Sequence, residues 1–136
     1  ALDQIGPSIA FSSGGNGLIV WQSQGNDFSG WCVVARQITG GTTLDPTGGY
    51  IVNTMTVGDQ TDVDVASDGN GHFVITWVST GGVAGTDGVY AKVAINSSTS
   101  LTGDILVASQ AVDATSAPSV TMRVPSPIST CSPISE

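Results

Sequence analysis

Asp59, Asp62, Asp64 and Asp68, followed by Asn70, put five oxygen-bearing side chains within twelve residues. Calcium takes six to eight hard oxygen ligands, so this stretch is where the chain could hold that ion; otherwise no cofactor is expected. The spacing does not follow an EF-hand loop, and the matching turn earlier in the chain, Ser13 to Gly17, carries no acid. The competing reading is that these carboxylates cap turns and solvate a loop. A second constellation is Trp31 with Asp27 and Asn26. An exposed indole beside an acid and an amide could stack on a pyranose while the polar groups fix its hydroxyls; otherwise Trp31 starts a strand and packs on a neighbouring sheet.

Catalysis is not expected. His72 is the one histidine, the one glutamate is the terminal Glu136, and no nucleophile motif occurs. A lone imidazole without an orienting partner or a second ligand makes neither a triad nor a metal site. His72 follows the turn Asp68-Gly69-Asn70-Gly71, where a partly exposed ring is expected. Cys32 and Cys131 are 99 residues apart, which excludes a compact metal knuckle. They either form a disulfide tying the tail to the first part of the chain or stay unpaired, and two cysteines alone do not decide it.

The composition narrows the partners. Charged residues are 10% of the 136 and the net charge is −8, with only Arg36, Lys92 and Arg123 as cations. Three scattered cations cannot neutralise a run of phosphates, so nucleic acid and anionic membrane surfaces are poor partners. No run of about 18 apolar residues occurs, so no membrane-spanning helix is expected. No signal peptide is visible; Ala1-Leu2-Asp3-Gln4 opens directly in a repeat, as a mature chain or an excised fragment would. A surface of Ser, Thr, Asn, Gln and Gly suits secreted β-rich or assembling surface proteins. Scarce Lys also removes one device for blunting sheet edges.

The elements that must position these residues come twice. Asp3-Gln4 returns as Asp59-Gln60, Ile9-Ala10 as Val65-Ala66, Trp21 as Trp77, Ser23 as Ser79 and Ala35-Arg36 as Ala91-Lys92, all with a shift of 56. A third copy opens at Ala117-Pro118-Ser119-Val120, which echoes Gly6-Pro7-Ser8-Ile9. Such a period marks a repeat whose units bury their apolar faces on one another. Short β-branched runs at 8–12, 18–23, 31–38 and 50–57, then at 63–67, 72–79, 89–95 and 105–109, are separated by Asn- and Gly-rich turns. No sustained 3.6-residue period appears, so no helix is expected.

The fold class is therefore all-β: two four-stranded antiparallel repeats, blade-like or as a sandwich, plus a C-terminal strand and an extended tail. Repeat 1 spans 1–57, repeat 2 spans 58–112, the start of a third spans 113–124, and a Pro/Ser-rich tail spans 125–136, all within one structural domain. The second strand of each repeat is apolar at nearly every position and is expected to be covered on both faces, with Trp21 and Trp77 in the core. The cation of the third strand, Arg36 or Lys92, is expected to be solvated.

On these residues the chain resembles a repeat of large secreted bacterial proteins, including hemolysin-type calcium-binding exoproteins and adhesins. The resemblance is carried by Pro7-Ser8-Ile9-Ala10, Ile19-Val20-Trp21-Gln22-Ser23, Val33-Val34-Ala35-Arg36, Ile51-Val52-Asn53-Thr54 and Gly58-Asp59-Gln60. In the second copy it is carried by Asp68-Gly69-Asn70-Gly71, Phe73-Val74-Ile75-Thr76-Trp77 and Gly88-Val89-Tyr90-Ala91-Lys92. It covers about residues 3 to 122 and implies a propeller-blade-like unit, a secreted or cell-surface location and no catalytic residues. Asp62-Val63-Asp64 stands where the pattern has Pro-Ser, and the tail after Met122 matches nothing in it.

Two blades do not close a propeller, which typically has four to eight. The chain must then fold as a sandwich, close a ring with other copies, or associate head to tail. Pro118, Val120, Met122 and Val124 form the apolar side of a strand with no hairpin of its own. It either completes the first repeat's sheet or is donated to another subunit. The expected partner is the chain itself, in an extracellular fibre or surface layer; the alternative is a propeller-type lectin of several two-blade chains.

Overall fold

In a computed structural model of the chain, residues 2–81, 87–95, 101–109 and 117–123 are described. Among them there are nine strands and no helix. Strands β1 (Gln4–Phe11), β2 (Gly17–Gln24) and β3 (Trp31–Thr39) form an antiparallel meander; β4 (Thr43–Leu44) and β5 (Tyr50–Ile51) both pair with β3. A second meander follows, β6 (Gln60–Ser67), β7 (His72–Ser79), β8 (Gly88–Ile95) and β9 (Ile105–Ser109). The all-β fold of two antiparallel repeats expected from the sequence is the fold observed.

The shift of 56 extends to backbone irregularities. The β1–β2 register slips between Ile5 and Ser8, and the β6–β7 register slips between Thr61 and Asp64. Each bulge holds one residue at positive φ, Gly6 at 60° in the first copy and Asp62 at 54° in the second. Glycine reaches that region freely and Asp is among the few side chains that tolerate it.

Directly paired residues project from the same face of a sheet. Leu18, Val20, Val33 and Ala35 thus line one face of the first sheet, while Ile9, Ile19 and Trp21 line the other. In the second sheet, Val65, Ile75, Trp77 and Tyr90 share a face, with Val74, Thr76, Ala91 and Val93 behind them. One core joins Leu18, Val20, Val33 and Ala35 to Val65, Ile75, Trp77 and Tyr90. Trp77 lies parallel to Tyr90 with ring centroids 6.2 Å apart. Each large side chain buried here contributes about 1.5–3 kcal/mol, which makes this junction the main source of stability.

The two sheets therefore face the same way along the stack. Val65, Ile75 and Trp77, which sheet two buries against sheet one, are the counterparts, 56 positions on, of Ile9, Ile19 and Trp21, which sheet one leaves exposed or half-exposed, whereas Val34, the counterpart of Tyr90, is buried. Trp21 shows the consequence: expected in the core, it is half-exposed, while Trp77 is 1% exposed. Strand β7 is covered on both faces as expected, but β2 is open at Ile19 and Trp21, over which no described residues pack as sheet one packs over Ile75 and Trp77.

Two further expectations change. The fourth strand of repeat 1 is shorter than 50–57: after Ile51 the side chain of Asn53 replaces the backbone and accepts the Val33 amide at 2.8 Å. The terminal segment 117–123 is extended but belongs to neither sheet, with Pro118, Val120 and Met122 half-buried and Ser119, Thr121 and Arg123 exposed. Val124 and the 125–136 tail lie outside the described residues.

Candidate functional site

Equivalent positions of the three copies meet at Asp64. Its Oδ1 accepts the Ser8 hydroxyl at 2.8 Å, and its Oδ2 accepts the Val120 amide at 3.0 Å. A further hydrogen bond comes from the side chain of Ser119, the residue that echoes Ser8. Burial raises the Asp64 carboxyl, but these donors and the Val65 amide outweigh it and hold the group below the usual carboxylate range. A second contact between equivalent positions lies nearby, where the Ser13 amide and hydroxyl both donate to the Gly69 carbonyl. First strand is thus laid on first strand through three copies, with the third represented by 117–123.

A buried polar joint locks the first two copies together. Asn53 donates to Asp27 at 3.2 Å, to the Met55 carbonyl at 2.7 Å and to Gln60 at 2.9 Å. Lys92 pairs with Asp104 at 2.9 Å, both side chains being 5% exposed. It also donates to the Val52 carbonyl and the Thr54 hydroxyl, and Asp104 accepts the Thr54 and Met55 amides. The expectation of a solvated cation fails at Lys92 because the end of repeat 1 runs over it. It holds in part at Arg36, which is half-exposed and donates to the Asp45 carbonyl. Asp104 has Gly48 as its counterpart, so the repeat itself gave no sign of this ion pair.

The five candidate calcium ligands do not surround one point. Asp59 precedes β6 and Asp68 follows it, and eight strand residues span roughly 26 Å at 3.3 Å each. Asp59 accepts the Trp31 amide, Asp62 occupies the bulge, Asp64 joins the three copies, and Asp68 caps its turn. The Asp68 cap includes Asn70, whose amide it accepts at 2.7 Å, and the His72 ring, 2.6 Å away. Burial opposes the ionised form of Asp68, yet the bonds from His72 and Asn70 keep its carboxyl low. Among the described residues no three His, Cys, Asp or Glu side chains gather as a metal ion requires.

The three residues of the sugar constellation differ in exposure. Asp27 is buried and bonded to Asn53 and to the Ser29 amide, Asn26 is exposed, and Trp31 is half-buried. Asn26 instead shares an open groove of about 410 Å³ with Trp21, Gln4, Tyr50 and Gly49. Burial, then the Asp45 charge, push the Tyr50 phenol up to about 12. A second groove of about 290 Å³, almost wholly apolar, is lined by Gln4, Ile5, Pro7, Ile19 and Trp21. Both lie on the uncovered side of sheet one. The signal for them was present in the sequence, since Trp21 belongs to the copy with no predecessor among these residues.

Cys32 is fully buried with its thiol on the Ser23 carbonyl; burial and the Asp27 charge push it up. Cys131 lies outside the described residues. No helix among the described residues is long and apolar enough to cross a membrane. Comparison with protein families, curated proteins and solved structures gives no match to this chain.

Proposed function

We propose that this chain is a non-catalytic, secreted β-repeat subunit that self-assembles, with its terminal strand taking part, into an extracellular fibre or surface layer. The observation that carries this reading is the meeting of three copies at Asp64. Equivalent strands lie side by side in one direction, and an array of that kind continues unless it closes on itself. Segment 117–123 repeats the start of a unit and is laid on β6 as β6 is laid on β1. Its alternating half-buried and exposed residues are those of a strand seeking an edge. The likeness to repeats of secreted bacterial exoproteins agrees with this role and with an adhesive surface location.

Deletion of residues 118–136 tests it. The truncated chain should stay folded and soluble but fail to polymerise, and a peptide covering 117–124 should block growth of the intact chain. Unfolding on truncation, with assembly indifferent to the peptide, would rule out a donated strand. A lectin is the second reading, favoured by the groove that places Trp21 beside Asn26 and Gln4. Glycan-array binding that is competed by one free sugar and lost in Trp21→Ala would establish it.

A further inference from the structure

Segment 117–123 lies on β6 without joining a strand ladder. Its polar anchor is one carboxylate. Asp64 accepts the Val120 amide at 3.0 Å and a further bond from the Ser119 side chain. Pro118, Val120 and Met122 are half-buried, while Ala117, Ser119, Thr121 and Arg123 are exposed. The contrast with β6 is instructive. Asp64 also joins β6 to β1 through the Ser8 hydroxyl, but β6 is paired with β7 along its length and sends Val65 into the core. Strand β6 therefore cannot leave its place without unfolding sheet two, whereas 117–123 can leave without breaking a ladder.

The seat it would leave is a built one. Asp64 pairs with Thr76, which puts the carboxylate on the far face of sheet two, and Ala66, Thr76 and Val78 of that face are buried. A charged acceptor above an apolar bed recognises an amide, a hydroxyl and alternate apolar side chains. Segment 117–123 supplies all of these from its own sequence. The same segment of another copy therefore brings the same donors to the same carboxylate.

We infer that segment 117–123 exchanges between copies, the β6 of one chain accepting at Asp64 the segment of a second chain in place of its own. Exchange of an identical element costs little, because each bond broken in one copy is remade in the next. The chain's own segment is the competitor. Residues 110–116 connect it to β9, and a short connection holds an element at a roughly millimolar effective concentration. The closed chain is thus its own inhibitor, and exchange is a high-concentration event. A chain that gives its segment to one neighbour and takes one from another passes the contact on. This inference rests on the self-assembly reading and names its acceptor site.

Sedimentation velocity on two full-length variants tests both readings and separates them. Asp64→Ala can give a segment but not accept one; Asp64→Ser, the residue type at the equivalent position of the other two copies, replaces it if Asp64→Ala does not fold. The double variant Ser119→Ala with Val120→Pro can accept but not give, since proline has no amide hydrogen. Each variant alone should stay monomeric at the concentration where the parent assembles. Their equimolar mixture should form dimers of one of each, and nothing larger. Those dimers should appear at least about tenfold below the parent's assembly concentration, because neither chain can hold its own segment on Asp64. A mixture that stays monomeric while the parent assembles would overturn the exchange and leave self-assembly standing, as would either variant assembling alone like the parent. Mixed dimers from a parent that stops at a closed dimer would keep the exchange and overturn open-ended assembly. No association of parent or mixture at millimolar concentration would overturn both.

Discussion

At the scale of single residues, the acids of β6 are structural tools of the repeat. Asp62 stands at the positive-φ position that Gly6 fills in the first copy. Left-handed backbone costs a non-glycine residue roughly 1–2 kcal/mol, less for Asp. Asp62→Gly should then raise stability by about 0.5–1 kcal/mol in urea unfolding, whereas a side chain needed for packing or for an ion would make it a loss. Asp64 gives a pH-dependent counterpart. Its folded pKa is depressed, so its contribution is fully present above the unfolded value of about 3.9 and is lost as pH falls through the folded value. Asp64→Asn should cost about 1–2 kcal/mol at pH 7, the worth of bonds to a charged group, and the gap should close below about pH 4. Because these carboxylates are spread along a strand, millimolar calcium should leave the melting temperature unchanged. A rise abolished by Asp64→Ala would restore a calcium site.

At the scale of elements, a repeat explains what could be read in advance. Strand positions, turns and the doubled meander were legible because alternation, Asn-Gly turns and the shift of 56 are local or pairwise signals. The bulge was hidden, since Gly6 and Asp62 look unalike and only their φ angles reveal the shared role. Trp21 and Lys92 were misplaced for one reason: each copy's environment depends on whether another unit precedes it, which no single repeat encodes. The linker between repeats is tightly fitted. Gly58 has φ 77°, and a Cβ there would fall 1.7 Å from the Thr80 carbonyl oxygen. Gly58→Ala should cost at least about 2 kcal/mol, from strain and displaced backbone together. The two cations should separate just as clearly. Lys92→Ala leaves Asp104 buried without its counter-ion and should cost about 3–5 kcal/mol, while Arg36→Ala should cost under about 1 kcal/mol. Equal losses at both positions would mean the copies are not stacked as described.

At the scale of the whole molecule, the described residues are a short run of an array whose two sides are unlike. One end shows apolar residues whose counterparts are buried, and the other carries the first strand of a further unit. Heterologous contacts either close a ring or run on as a filament. Negative-stain electron microscopy of the purified chain, over a concentration series, tests the central claim of open-ended self-assembly most directly. Unbranched filaments that lengthen with concentration are the expected result. Uniform small discs, or monomers at every concentration, would contradict it.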